Sequence, residues 1–331
     1  MRTFNFRKEE PLLNIASYAH SGSRAADRLT PAQIEHIRLT VSRAPEVMVK
    51  VLSQGSSDLK AVGRHFDYIG RQGDLELESD DGYRLQGSVG KELIDDWGLD
   101  IDKLRPQANL TALPGRKPIK LVHKLVFSMP AGTPPQKVLS AVRNFAREEF
   151  HGQHRYVAAL HTDEPHPHVH VLVKAMSEQG VRLHIRKATL RGWREEFARQ
   201  LRVVGVAANA TPRFVRGETK PRKSDGINRA ARRGESTHMR ERVMAAAAAM
   251  GRADYRPESG KARLEQTREA VAHGWGAIIE SLGNQGHADL AGQARKFVGA
   301  MPAVRTEREW LTAVLREPAR EPRGKVQERT R

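Results

Sequence analysis

Between residues 46 and 176 the apolar positions switch repeatedly between a period of two and a period of three to four. "EVMVKVLS" (46–53) alternates as a strand does, and "QGSSDLK" after it is a turn whose serine or aspartate can cap a helix. In "DLKAVGRHFDYIGRQG" (58–73) Leu59, Val62, Phe66 and Ile69 recur at helical spacing, which predicts a helix stopping at Gly73. "LELESDDGYRLQGS" reads as a hairpin about Asp81-Gly82. "PIKLVHKLVFSMP" (118–130) predicts a long strand. "TPPQKVLSAVRNFAREEF" (133–150) predicts a helix opened by prolines, with Val138, Ala141, Val142 and Phe145 on one face. Two further strands follow, "HRYVAALHTD" (154–163) and "HPHVHVLVKAM" (166–176). The order predicts an α+β domain, one sheet with helices against a face.

The flanks have other patterns. Residues 1–44 form a polar leader with one helical stretch, "TPAQIEHIRLTVSRA". "LRGWREEFARQLRVVGV" is an amphipathic helix whose Trp193 and Phe197 face a core. Beyond Pro212, "RGETKPRKSDGINRAARRGE" is a Pro-, Gly- and charge-rich link, and helical segments follow, including the alanine tract at 245–249. The expected domains are therefore a leader (1–44), a mixed domain (45–212) and a basic, mostly helical region (213–331).

Charge sharpens this division. Residues 181–331 carry 32 Lys and Arg against 17 Asp and Glu, whereas residues 1–180 carry 24 against 22. A basic half joined to a nearly neutral one suits a polyanion, nucleic acid first among them. The chain has no cysteine, which excludes disulfides, thiolate metal sites and cysteine nucleophiles and fits a reducing cytoplasm. No apolar run is long enough for a transmembrane helix, and the first twenty residues lack a secretory h-region, so a cytoplasmic protein without membrane insertion is expected.

The candidate chemistry lies in "HTDEPHPHVH" (161–170), four histidines in ten positions. In the strand that contains them, His168 and His170 leave the same face about 7 Å apart, while Val169, Val171 and Val173 point to the core. His161 ends the preceding strand, and a short connection can bring it alongside the pair. Three imidazoles from two strands would leave a cation open positions for water or a substrate oxygen. His166, in a turn before Pro167, is a weaker candidate. Nitrogen donors favour zinc or manganese; if phosphate oxygens and water complete the sphere, magnesium or manganese is workable. No G-x-x-x-x-G-K-[ST] loop is present, so no nucleotide is expected.

These stretches resemble a known family. "HTDEPHPHVHVLVKA" is similar to the H-x-D…H-x-H motif of plasmid relaxases of the mobilisation type, within the HUH endonucleases, and "LKAVGRHFDYIGRQGDLELES" resembles their nucleophile segment. The resemblance covers residues 46–212. It implies a ferredoxin-like antiparallel sheet with helices packed on one face, and a nickase that cuts single-stranded DNA at a transfer origin. By this resemblance Tyr68 is the nucleophile, His161, His168 and His170 hold one divalent metal, and Asp163 steers a ligand or acts as a base. An unassisted phenol ionises near pH 10, so such a nucleophile needs help from a base or cation. A 5′-phosphotyrosyl bond conserves energy for rejoining, so ATP is not needed.

Tyr18 is the rival nucleophile; Tyr83 follows the hairpin turn, Tyr156 packs in a strand and Tyr255 lies in the basic region. Arg64 and Arg71 border Tyr68 in sequence and, with Lys174 on the strand parity of His170, are candidate phosphate contacts. Lys220, Arg222, Lys223, Arg232 and Arg233 crowd together without aromatics, which points to duplex backbone contacts flanking the cut site. Relaxosome accessory proteins and a conjugative coupling protein or secretion system are the expected partners. Two other readings compete: a non-catalytic DNA-binding protein with a structural metal, and a metal-dependent phosphodiesterase using water. The product discriminates, because a hydrolase leaves free ends and a relaxase leaves DNA covalently on protein.

Overall fold

The computed structural model describes residues 28–52, 57–104, 118–218, 233–250 and 260–316, together with Ala230 and Glu258. These fall into two compact units that divide between Thr211 and Pro212.

The first unit holds a six-stranded sheet. Its elements are α1 (Pro31–Val41), β1 (Met48–Leu52), α2 (Leu59–Ile69), β2 (Leu77–Ser79), β3 (Arg84–Leu85), α3 (Gly90–Asp96), α4 (Leu99–Leu104), β4 (Val122–Ser128), α5 (Pro135–Phe150), β5 (Tyr156–His161), β6 (His168–Lys174) and α6 (Lys187–Val203). The strands lie in the order β1-β4-β6-β5-β2-β3, and every neighbouring pair is antiparallel. The antiparallel α+β architecture expected from the apolar pattern is therefore present, with the most apolar strands at its centre.

The helices α5 and α6 cover one face, as the pattern on α5 requires. Val138, Val142 and Phe145 of α5 and Trp193 and Phe197 of α6 are buried against Leu125 and Phe127 of β4 and Val169, Val171 and Val173 of β6. Phe127 lies 4.8 Å from Phe145 and 5.2 Å from Phe197, ring centre to ring centre. Each such fully buried ring stabilises the fold by about 3 kcal/mol or more relative to its truncation.

The opposite face carries a smaller second layer. Val62, Phe66 and Ile69 of α2 meet Leu93 and Trp97 at the end of α3 and, on the sheet, Val122, Val157, Ala159 and Leu172. The sequence pattern did not foresee α3 and α4, which are seven and six residues long and too short to show a period. Two glycines let this layer close: a Cβ on Gly90 would stand 2.5 Å from the Gly63 carbonyl oxygen.

The helix α2 is capped by Asp58, whose carboxylate accepts from Ala61 N at 2.8 Å, an interaction worth about 1 kcal/mol. It ends earlier than predicted. Gly70, not Gly73, closes it, and Arg71 and Gln72 take left-handed φ angles of 51° and 56°. Gly73 is needed for the turn itself, because at φ 104° a Cβ would sit 2.7 Å from the Gly87 Cα. Helix α1 belongs to this unit too: Thr40 Oγ1 lies 2.9 Å from Thr211 Oγ1 and accepts from Asn209 Nδ2.

The second unit contains α7 (Thr237–Met250), α8 (Lys261–Asn284), α9 (Ala288–Gly299) and α10 (Glu307–Arg316). Its core includes Trp275, which donates to the Val215 carbonyl at 3.0 Å and packs on Phe297. No helix among the described residues is long and apolar enough to cross a membrane.

Candidate active site

The pairing of β5 with β6 sets His161 directly opposite His168, and His170 lies two residues further along β6 opposite Ala159. In an antiparallel pair, residues opposite one another share a face, so all three imidazoles emerge on the α2 side of the sheet. Their ring centres are 4.5 Å (161–170), 5.2 Å (161–168) and 5.2 Å (168–170) apart. One ring nitrogen from each lies within 4.8 Å of the others, so a modest inward closure would bring all three to one divalent ion.

Hydrogen bonds orient the rings. His168 donates Nδ1–H to the His166 carbonyl at 3.0 Å, which leaves Nε2 as the lone-pair nitrogen. His166 thus contributes its main chain while its side chain is exposed. His161 donates Nε2–H to the Ile69 carbonyl at 2.7 Å, so its lone pair is on Nδ1, which faces Arg71 Nη2 at 3.3 Å. His170 Nδ1 is buried and has no hydrogen-bond partner among the described residues. A buried nitrogen left without a partner, beside two rings with oriented lone pairs, is a donor set that fits a cation.

Electrostatics keep His170 and His161 unprotonated. Burial, reinforced by His161, His168, His65 and Arg71, drives His170 down to about 3. Burial also lowers His161, although its bond to the Ile69 carbonyl opposes the shift. Neutral imidazole is the metal-binding form, so neither of these two rings need lose a proton at neutral pH.

Tyr68 projects from α2 into this cluster. Its ring centre is 6.2 Å from His170 and 6.4 Å from His161, and it is 47% exposed, so its ring is open to a ligand. The end of α2 therefore brings the sequence-predicted tyrosine to the sequence-predicted histidines. Arg71 joins them, through the left-handed turn after α2. Its guanidinium carbon lies 5.7 Å from the Tyr68 ring centre, and it forms a short ion pair with Asp163. Slight burial opposes ionisation of Asp163, but the hydrogen bond and charge of Arg71 prevail and hold the carboxyl below its usual range. Asp163 Oδ1 is 4.0 Å from His161 Nδ1.

His65, which the sequence pattern does not single out, is also part of the cluster. It stacks on Tyr68 at 5.5 Å with 16° between the planes, and burial followed by the charge of Lys124 lowers it to about 4. Its place three residues before Tyr68 on a helix was the available signal.

Other candidates lie elsewhere. Lys174 is buried at the far end of β6, its ammonium 3.8 Å from Asp102 and 3.4 Å from Glu178, so its charge is already matched. Six residues of strand, about 20 Å, separate it from His168. Arg64 is exposed on α2, and Arg233 pairs with Glu235 at 2.7 Å in the second unit. Tyr156 is buried against Phe150, and Tyr83 is 70% exposed beyond the hairpin turn. Tyr18, Tyr255, Lys220, Arg222, Lys223 and Arg232 lie outside the described residues.

Residues 86–203 match a family described as relaxase, MobA/VirD2-like, nuclease domain. That stretch contains the three histidines and Asp163, while Tyr68, His65 and Arg71 precede it. The chain is similar to the T-DNA border endonuclease VirD2 of Rhizobium radiobacter, 26% identical over 191 residues, which are 53% of this chain and 43% of that protein. It is 28% identical over 142 residues to the proteins of the same name from Rhizobium rhizogenes and Agrobacterium fabrum, covering 40% of this chain and 31% and 30% of theirs. The chain thus spans under half the length of these curated relatives.

Proposed function

We propose that the protein nicks one strand of DNA by transesterification onto Tyr68, a reading supported by the match of residues 86–203 to a MobA/VirD2-like relaxase nuclease domain. One observation carries this reading: a half-exposed tyrosine on the last turn of α2 stands 6.2–6.4 Å, ring to ring, from two of three convergent histidines. The substrate is single-stranded DNA at a transfer origin, and the process served is conjugative mobilisation. Flanking duplex DNA, relaxosome accessory proteins and a coupling protein or secretion system are the proposed partners.

His161, His168 and His170 would hold one divalent cation, magnesium or manganese before zinc, which when bound offsets the charge of the scissile phosphate and orients it. The protein's own residues do the rest. Tyr68 Oη attacks phosphorus and gives up its proton to solvent as the new O–P bond forms, while the bond to the 3′ oxygen breaks and that oxygen takes up a proton from solvent to become a hydroxyl. The product is a 5′-phosphotyrosine that the same 3′ hydroxyl can reverse. Arg71 carries positive charge beside the tyrosine ring, where the phosphate must approach. Asp163, held ionised by Arg71, suits the task of holding Arg71 beside His161 better than that of accepting a proton, since a depressed pKa makes a weak base. Cation capture by His161 Nδ1 would require Arg71 to yield that lone pair and rest on Asp163 alone.

The test is a denaturing gel after incubation of the protein with 5′- or 3′-labelled single-stranded origin DNA and manganese. A 3′-labelled fragment shifted onto the protein is the expected result. Cleavage that leaves two protein-free fragments would instead establish a water-using phosphodiesterase, and metal binding without cleavage a structural site.

A further inference from the structure

We propose that His65 is a positioning residue for Tyr68, acting through the face of its ring and not through a ring nitrogen; this rests on the reading of Tyr68 as nucleophile. Tyr68 is 47% exposed, and an exposed tyrosine samples several orientations. Attack in line with the leaving oxygen needs one of them, and small misplacements cost large factors in rate. The His65 ring lies parallel to Tyr68 within 16° at 5.5 Å and simultaneously sets its edge toward His170 at 6.4 Å and 72°. It therefore flanks both the nucleophile and the cluster that would receive the phosphate, with Tyr68 still 6.2 Å from His170. The spacing has a local cause: residues three apart on a helix are neighbours on its surface, so α2 presents both rings side by side.

The ring nitrogen and the ring face make separable contributions. His65 Nε2 is buried and has no hydrogen-bond partner among the described residues. A polar atom left in that condition is a cost to folding, and an apolar ring of similar shape in its place is neutral or favourable. What the site gains from His65 is thus the flat surface.

Two variants distinguish these contributions. In single-turnover cleavage of single-stranded origin DNA with saturating manganese, His65→Ala is expected to lower the rate constant at least tenfold. His65→Phe, which keeps a stacking face, is expected to stay within about threefold of wild type and to melt no lower. Affinity for the uncleaved strand should be unchanged in both, so that the loss falls on the rate constant. An Ala variant cutting at the wild-type rate overturns the proposal, and so does a Phe variant as slow as the Ala variant, which would assign the role to the nitrogen. A Tyr68→Phe control run in parallel keeps the two readings distinct. If that control still forms the covalent adduct, the nucleophile assignment has failed, and if it does not, the His65 result stands on its own.

Discussion

His161 donates its Nε2–H to the carbonyl of Ile69, one residue beyond Tyr68, at 2.7 Å. The end of the tyrosine helix is thus hydrogen-bonded to a member of the histidine cluster. The two halves of the candidate chemistry are fixed relative to one another by protein alone, before any DNA binds. Since that bond uses the main chain at Ile69, Tyr68→Phe should leave it intact. Loss of all covalent adduct, with unfolding midpoint and single-strand affinity held, is the expected outcome. Adduct formation at the normal rate would redirect attention to Tyr18.

The cation is open to a direct test. His168→Ala and His170→Ala are each expected to abolish nicking and lower manganese affinity by about tenfold or more, read by titration calorimetry. Chelation by EDTA should stop wild-type nicking, with restoration on adding manganese. Equal metal binding by wild type and the double variant would remove the triad from that role.

The Arg71–Asp163 pair yields a coupling experiment. Arg71→Ala and Asp163→Asn are each expected to slow nicking by about 10–100-fold, since Arg71 faces His161 Nδ1 and Asp163 holds Arg71 there. Because they act on one ring, the double variant should be little slower than the worse single variant. Simple multiplication of the two effects would show that they act separately.

Acid should weaken the first unit through histidines remote from the site. His36 is lowered to about 4 by burial and then Arg202, and His123 is lowered to about 4 by burial, despite its bond to the Leu183 carbonyl. The folded state holds both neutral, so their contribution is intact above pH 6.5. As pH falls from 6.5 toward 4 the unfolded chain takes up protons that the folded chain refuses. Stability should fall by up to about 1.4 kcal/mol per pH unit for each histidine. Urea midpoints at about pH 7.5, 6 and 5 measure this, and a His36→Leu/His123→Leu variant should show a shallower decline.

The basic region is addressed by truncation after Thr211, where the two compact units divide. The shortened protein is expected to cut short single-stranded oligonucleotides, yet to bind flanking duplex more weakly. Its log–log salt slope should be shallower by about 0.9 for each phosphate that the basic region neutralises. An unchanged slope would mean that the region binds something other than duplex.

What the sequence disclosed and what it concealed divide along physical lines. The convergence of His161, His168 and His170 follows from strand parity, a strictly local property, and α2 and α5 declare themselves by about three and four complete turns of apolar spacing. Features created by distant pairs were hidden. Nothing near Lys174 signals that Asp102, seventy-two positions earlier, takes its charge. Likewise, α3 and α4 are stabilised by burial of Leu93, Trp97 and Leu99 against α2 and the sheet more than by any periodicity of their own. The early stop of α2 at Gly70 was masked by the second glycine three residues on.

The hairpin joining β5 to β6 has a consequence for the order of folding. His161 and His168 are seven positions apart and directly opposed, so the cluster closes with a short loop and little chain entropy. Ile69 and His161 are separated by 92 positions, which makes docking of α2 a contact of high sequence separation. The histidine cluster can therefore assemble early and from one local segment, and the tyrosine arrives late. A chain caught midway would hold the three histidines together with Tyr68 not yet beside them.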